Sequence, residues 1–294
     1  MQSAGMSAKA YLNIKFLDLI GRRHMIIKLL KSIGFLLFFF SITFYFFLIM
    51  WSERLYYYFK RIPYTSELAH SLATRWGQSF LNLMPGWTLV VEGKEHLPKQ
   101  KKPYVIVANH ESGTDILAIY FLGIQFRWLS KDSIFKIPMI GQAMKLSGYV
   151  PIIRGDKDSH TKAMKISKRV VQSGIPMLFF PEGTRSTTGS LKAFKSGAFR
   201  LANKCNAPVL PIVLHGAGTL LKKKSLAPNV ATVRVKILPL MHQTADESAG
   251  DFCSRVREKM ILAHYEISNN HNKPLKKSLK KETKESHYGN KLMC

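Results

Sequence analysis

The first stretch of this sequence in which side chains of the right types stand at a working spacing follows the apolar run Tyr104–Ala108. It reads Asn109, His110, Glu111, Ser112, Gly113, Thr114, Asp115. If the run is a strand and Asp115 opens a helix, the carboxylate folds back onto one ring nitrogen of His110 and leaves the other to take a proton. The carboxylate then fixes the tautomer and supports the imidazolium as it forms, as in the His–Asp half of a triad. The same spacing also suits a surface histidine beside a helix N-cap, so the pair alone does not decide between the two.

A second constellation, Phe179 to Arg185, again closes an apolar run with a polar turn: Pro181, Glu182, Gly183, Thr184, Arg185. Backbone N–H groups in such a turn face an anion readily, and a guanidinium grips phosphate with two parallel hydrogen bonds, a geometry that lysine lacks. A plain Glu182–Arg185 ion pair in a loop is the competing reading. Arg154 after Gly148–Ile153 and Lys131 after Gln125–Ser130 place two further cations at strand ends. One such cation is usually only solvated, whereas several converging beside His110 would cradle an anion. The sequence has no GxSxG elbow, phosphate loop, HExxH or dinucleotide glycine fingerprint, which removes support for a covalent serine enzyme, an NTPase and a zinc hydrolase.

The elements that position these residues are readable from apolar periodicity. Strands are expected at Trp87–Glu92, Tyr104–Ala108, Gln125–Leu129, Tyr149–Ile153, Pro176–Phe180, Pro208–Val213 and Thr232–Leu238. Helical patterns lie between them, at Leu68–Leu83, Thr114–Leu122, Pro138–Ser147, Ser159–Ser173, Ser196–Lys204 and Glu247–Ile267. This alternation predicts an α/β domain with a single mixed sheet of about seven strands covered by helices. Ligands of such sheets gather at the carboxyl ends of the strands.

Ile33–Trp51 is uncharged and rich in aromatics, long enough as a helix to cross the hydrocarbon layer, and unlike a cleavable signal peptide. Basic residues flank it on both sides: Arg22, Arg23, Lys28 and Lys31 before, Arg54, Lys60 and Arg61 after. A simple span places one of those flanks against the positive-inside tendency. With the helix-like spacing of Tyr11–Ser32, this suggests an N-terminal membrane-embedded helix pair that enters one leaflet and returns. The expected domains are membrane-associated helices over 1–65, a catalytic layer over 66–267 and a basic, disordered tail over 268–294.

The 294 residues carry 44 Lys+Arg against 18 Asp+Glu, a net charge of +26, so the partner is anionic. A hydrophobic share of 46% rules out wholesale disorder. Three widely spaced cysteines argue against a disulfide framework or a zinc site and fit reducing surroundings. Nucleic acid is not an expected partner, because the aromatics concentrate in the apolar segment rather than among the basic residues.

Four blocks in order resemble the glycerophospholipid acyltransferases, and most closely the 1-acyl-sn-glycerol-3-phosphate acyltransferases. Asn109, His110 and Asp115 match the Asn-His-x4-Asp motif. Glu182 to Arg185 match Glu-Gly-Thr-Arg, with Phe-Pro before and Phe194-Lys195-x-Gly197 after, and Ala207–Ile212 match the proline-containing strand block. Gly148, Ile152 and Arg154 match the second block in part, Pro151 and Ile153 standing where Phe and Asp are frequent. The resemblance spans roughly Trp87 to Leu240. It implies acyl transfer from acyl-CoA or acyl-carrier protein to the 2-hydroxyl of lysophosphatidic acid, with no cofactor and no metal. It implies His110 as base and Asp115 as its support. Arg185, Arg154 and Lys131 would hold the phosphate, in a pocket shaped by Glu182, Gly183 and Thr184, the Glu182 carboxylate ordering a basic neighbour or a glycerol hydroxyl. It further implies an anionic membrane surface as partner, with the catalytic layer on the cytoplasmic face (of the inner membrane, in a bacterium). Within the same chemistry, another lysophospholipid or glycerol 3-phosphate is the alternative acceptor. A non-catalytic basic module for membrane or nucleic acid explains the charge but gives no reason for the strand-end residues.

Overall fold

A computed structural model describes residues 8–99, 102–186, 189–221 and 225–270. Most of the expected tail, including Cys294, lies outside the described residues, while its first three residues, 268–270, close the last helix. The strands are β1 (Trp87–Glu92), β2 (Val105–Ala108), β3 (Arg127–Lys131), β4 (Val150–Ile152), β5 (Met177–Phe179), β6 (Val209–His215) and β7 (Ala231–Ile237). The helices are α1 (Ala8–Phe59), α2 (Ser66–Leu83), α3 (Asp115–Phe121), α4 (Ile140–Leu146), α5 (Lys157–Gln172), α6 (Gly197–Lys204), α7 (Ala217–Leu220) and α8 (Ala249–Asn270).

The seven strands form one sheet in the order β1-β7-β6-β2-β5-β3-β4. From β6 to β4 all neighbours are parallel, and the single antiparallel pairing, β6 with β7, makes the sheet mixed as expected. All four residues of β2 are buried, the pattern of a strand covered on both faces. Period-two alternation sorts them. Ile106 and Ala108 join the core beneath α2 and α3, whereas Val105 and Val107 join the one beneath α5, α6 and α8.

The two stretches expected to make up the N-terminal pair, Tyr11–Ser32 and Ile33–Trp51, run on as one unbroken helix, and the partner that folds back against it is α2. The reversal comes where the chain carries a stop signal. Ile62 N–H bonds to Tyr57 C=O and Arg61 N–H to Tyr58 C=O, with Arg61 left-handed and Pro63 just beyond. That is a Schellman ending. Thr65 then caps α2, its hydroxyl accepting from Leu68 N–H. Phe35, Phe38 and Phe39 of α1 pack on Trp76, Phe80 and Trp87, and Thr43 accepts the Trp76 indole N–H at 3.1 Å. Most of the remaining apolar face of α1, including Leu37, Phe40, Phe44 and Leu48, is exposed. By length and composition α1 can cross a membrane.

α2 is also the floor under α3. Gly77 touches Tyr120 so closely that a β-carbon there would lie 2.6 Å from its ring. A side chain at 77 would push α3 outward, and with it the Asp115 that opens α3.

Candidate active site

Strands β6, β2, β5, β3 and β4 run in the same direction, so every loop singled out from the sequence leaves the sheet at one edge. The first is fixed to the sheet by Asn109, whose buried amide donates to Leu214 C=O at 2.8 Å and accepts from Leu214 N–H at 2.7 Å. His110 follows, and the helical start of α3 brings Asp115 back to it. His110 Nδ1 donates to Asp115 Oδ2 at 2.7 Å, and the same oxygen accepts from Glu111 N–H at 2.8 Å and Ser112 N–H at 3.0 Å. A carboxylate only accepts, so the proton sits on Nδ1 and Nε2 carries the lone pair. Burial of Asp115 pushes its carboxyl above the ordinary value, while the hydrogen bond and charge of His110 pull it back. The imidazole face stacks on Phe180, with centroids 4.3 Å apart, which holds the ring's plane.

The β5 loop is bound to this one through backbone. Glu182, almost fully buried, accepts from His110 N–H at 2.9 Å through one oxygen and from Lys192 N–H at 3.1 Å through the other. Through these backbone bonds the carboxylate joins the two loops. Ser186 N–H adds a 2.7 Å bond to His110 C=O. Arg185 is exposed and lies over Gly113, where a β-carbon would come 2.9 Å from Nη2, so the absence of a side chain at 113 gives the guanidinium its place beside the His110 loop. Gly183 has φ of +70° and lies against Lys195. Thr184 accepts from Lys192 Nζ at 3.2 Å, and Lys192 also donates to Arg185 C=O at 2.9 Å.

Arg185 is thus brought to the His110 loop, and Lys131 and Arg154 stand further along the same edge. One strand step is about 4.8 Å, which places the ends of β3 and β4 roughly 10 and 14 Å from that of β2. Both cations are exposed. Reasoning from sequence missed Lys192 and Lys195 as members of the basic rim. Lys195 was legible in the block after Glu-Gly-Thr-Arg, but Lys192 had no signal, because only the return of its loop to Glu182 brings it there. It also missed a group beside the site, Glu111 with His215 and His264.

A family model described as Acyltransferase matches residues 88–215. A 1-acyl-sn-glycerol-3-phosphate acyltransferase of Saccharomyces cerevisiae is 32% identical over 210 residues, covering 68% of this chain and 68% of that protein. The chain belongs to the 1-acyl-sn-glycerol-3-phosphate acyltransferase family. A chloroplastic member from Arabidopsis thaliana is 38% identical over 202 residues, 68% of this chain, and the chain spans 56% of that relative's length. Among solved structures, the Thermotoga maritima 1-acyl-sn-glycerophosphate acyltransferase superposes with a TM-score of 0.67 at 25% identity, covering 83% of this chain and 97% of that one. The mixed seven-stranded sheet and the α1–α2 pair are therefore those of a family fold, and both His110 and Arg185 fall inside the matched region.

Proposed function

We propose that this chain transfers an acyl group from a thioester, acyl-CoA or acyl-carrier protein, to the free 2-hydroxyl of lysophosphatidic acid and so forms phosphatidic acid. The observation that carries the reading is the His110–Asp115 bond, which commits Nδ1 and leaves Nε2 as a base at an edge lined with cations. In this reaction Nε2 takes the hydroxyl proton as the oxygen attacks the thioester carbonyl. The C–S bond then breaks, and the leaving thiolate recovers the proton from the imidazolium. Asp115 balances the imidazolium throughout. The thioester is already activated, so no acyl-enzyme is needed. Arg185 binds the acceptor phosphate closest to the base, with Lys131 and Arg154 extending the same positive edge. Glu182 acts through the backbone of His110 as a positioning residue, and Gly183 and Thr184 shape the turn.

A membrane-associated segment over 1–65 that holds the single helix α1, a catalytic layer over 66–267 that includes its partner α2, and a basic tail over 268–294 whose first residues close α8 fit this role. The apolar outer face of α1 seats the chain on the bilayer. The excess of positive charge then meets anionic headgroups on the cytoplasmic side, where attraction is on the order of 1 kcal/mol per basic residue near the surface. The test is thiol release from acyl-CoA by the detergent-solubilised chain, with and without lysophosphatidic acid. Acceptor-dependent release that disappears in His110→Ala supports the reading. Release that persists without His110 overturns the base. Release seen only with another lysolipid or with glycerol 3-phosphate overturns the acceptor.

A further inference from the structure

Three side chains from distant parts of the chain meet on the β6 side of the His110 loop. Glu111 follows β2, His215 ends β6 and His264 lies in the last third of α8. Their ligating atoms form a nearly regular triangle. His264 Nε2 is 3.4 Å from Glu111 Oε1, His215 Nδ1 is 3.4 Å from His264 Nε2, and His215 Nδ1 is 3.8 Å from Glu111 Oε1.

Two sides are hydrogen bonds at the long end of their range, beyond the usual span of about 2.7–3.2 Å, and the third is longer still. A metal needs them wider. A point equidistant from corners with these separations lies about 2.1 Å from each, which is the Zn–N and Zn–O bond length. The donor set of two imidazoles and one carboxylate is one that zinc and other first-row divalent ions take.

We propose that Glu111, His215 and His264 bind a divalent first-row metal ion of the zinc class, which ties α8 to the loop that carries His110. The carboxylate is already oriented for this, since its other oxygen accepts from Gly216 N–H at 3.0 Å and Gly218 N–H at 3.4 Å. An outer hydrogen bond of that kind holds a metal-binding carboxylate in place. The ligands are mostly shielded, the side chains of Glu111, His264 and His215 keeping 9%, 12% and 23% of their exposure. Arg234 of β7 stands level with His215 across the ladder. Its charge opposes a cation, so micromolar rather than much tighter affinity is expected. The ion would act as a clamp beside the reaction and takes no step in it; the proposal does not rest on the acyl-transfer reading.

The test uses the full chain without an affinity tag, stripped with a chelator in detergent and titrated with Co²⁺ while its visible absorption is followed. One Co²⁺ per chain is expected, displaced by Zn²⁺ and without a thiolate charge-transfer band. Affinity should fall about tenfold or more in His215→Ala and in His264→Ala, and stay unchanged in His160→Ala, an exposed histidine of α5. No Co²⁺ bound by wild type, or affinity unchanged in both variants, overturns the site. Should the variants misfold, X-ray absorption of the zinc-loaded wild type decides. Two imidazoles and an oxygen donor at about 2.0–2.1 Å sustain the proposal, and sulfur ligation or no imidazole overturns it.

Discussion

His70 hydrogen-bonds through its ring to segments far along the chain and His110 to Asp115 five residues on, and their surroundings fit them for opposite tasks. His70, on α2, is fully buried. Its Nε2–H donates to Ile124 C=O at 3.1 Å and its Nδ1 accepts from Tyr149 at 2.9 Å, with Tyr120 donating in turn to Tyr149 at 2.8 Å. Both nitrogens are spent on neutral partners, and burial lowers its pKa to about 4. His110 has one nitrogen on a carboxylate, and its side chain keeps 16% of its exposure. A charged imidazole is thus penalised at His70, whereas His110 faces a carboxylate. A proton-transferring histidine is marked by an unspent nitrogen and an anionic partner, and burial alone marks a structural one.

The sharpest break of this contrast is a pair of alanine variants. His110→Ala should lower acceptor-dependent thiol release by about 10²–10⁴-fold, the usual worth of a positioned general base, with little change in Tm. His70→Ala should do the reverse, lowering Tm markedly while leaving the rate per folded molecule close to wild type. Comparable rate losses in both, measured on folded protein, would end the distinction. Asp115→Asn removes the anion but not the shape. A loss on the order of 10²–10⁴-fold in kcat with KM nearly unchanged is expected if, as proposed, His110 is the base, because Asp115 bonds to its ring.

Glu182→Gln probes positioning. The amide has one acceptor oxygen where the carboxylate offers two, so its NH₂ must face the N–H of His110 or of Lys192. An unmet buried N–H costs about 1–3 kcal/mol, and a roughly tenfold to hundredfold rate loss follows if the His110 loop shifts. Glu182→Asp, which keeps both oxygens on a shorter arm, should recover part of the rate; no difference between the two variants would show that the carboxylate does not position the loop.

The contrast between the two histidines was half legible in the sequence. Apolar runs located all seven strands, and the run ending at Ala108 put His110 at a strand end with Asp115 opening the next helix, as found. Nothing local set the strand order or the reversed direction of β7, since register across 100 residues is a property of packing. The continuity of α1 was missed because charge and apolar content change near Ile33 without a helix-ending signal; that signal comes at Arg61–Pro63. The partners of Glu182 and the approach of His215 and His264 to Glu111 are meetings through space between loops and a helix, and no sequence spacing encodes them.

Arg185 tests the rim rather than the base. Arg185→Ala should raise the acceptor KM by roughly ten- to a hundredfold with a smaller change in kcat, consistent with one lost charge-assisted contact of about 1.5–3 kcal/mol. Arg185→Lys should restore only part of it, because the two-pronged geometry is lost. Lys131→Ala and Arg154→Ala, further along the edge, should cost less than Arg185→Ala. An equal or larger cost at Arg154 would mean that the phosphate sits nearer β4 than β2.

The remaining effect is on stability alone, and its sign follows from the His70 pKa. Unfolded, the ring titrates near 6.5; folded, near 4. Burial causes the shift, with the Arg127 guanidinium on β3 adding to it and the Ile124 carbonyl and Glu67 opposing it. The unfolded chain therefore binds the extra proton first as pH falls. The stability due to a neutral His70 is full above pH 6.5 and is lost progressively between pH 6.5 and about 4. The slope approaches 1.4 kcal/mol per pH unit, about 3 kcal/mol over the window. Tm followed from pH 7 to 5 should fall more steeply in wild type than in His70→Gln, which is less stable at pH 7 but has no ring to protonate. Parallel curves would mean that His70 is charged in the folded chain, and the distinction drawn from its two neutral partners would then fail.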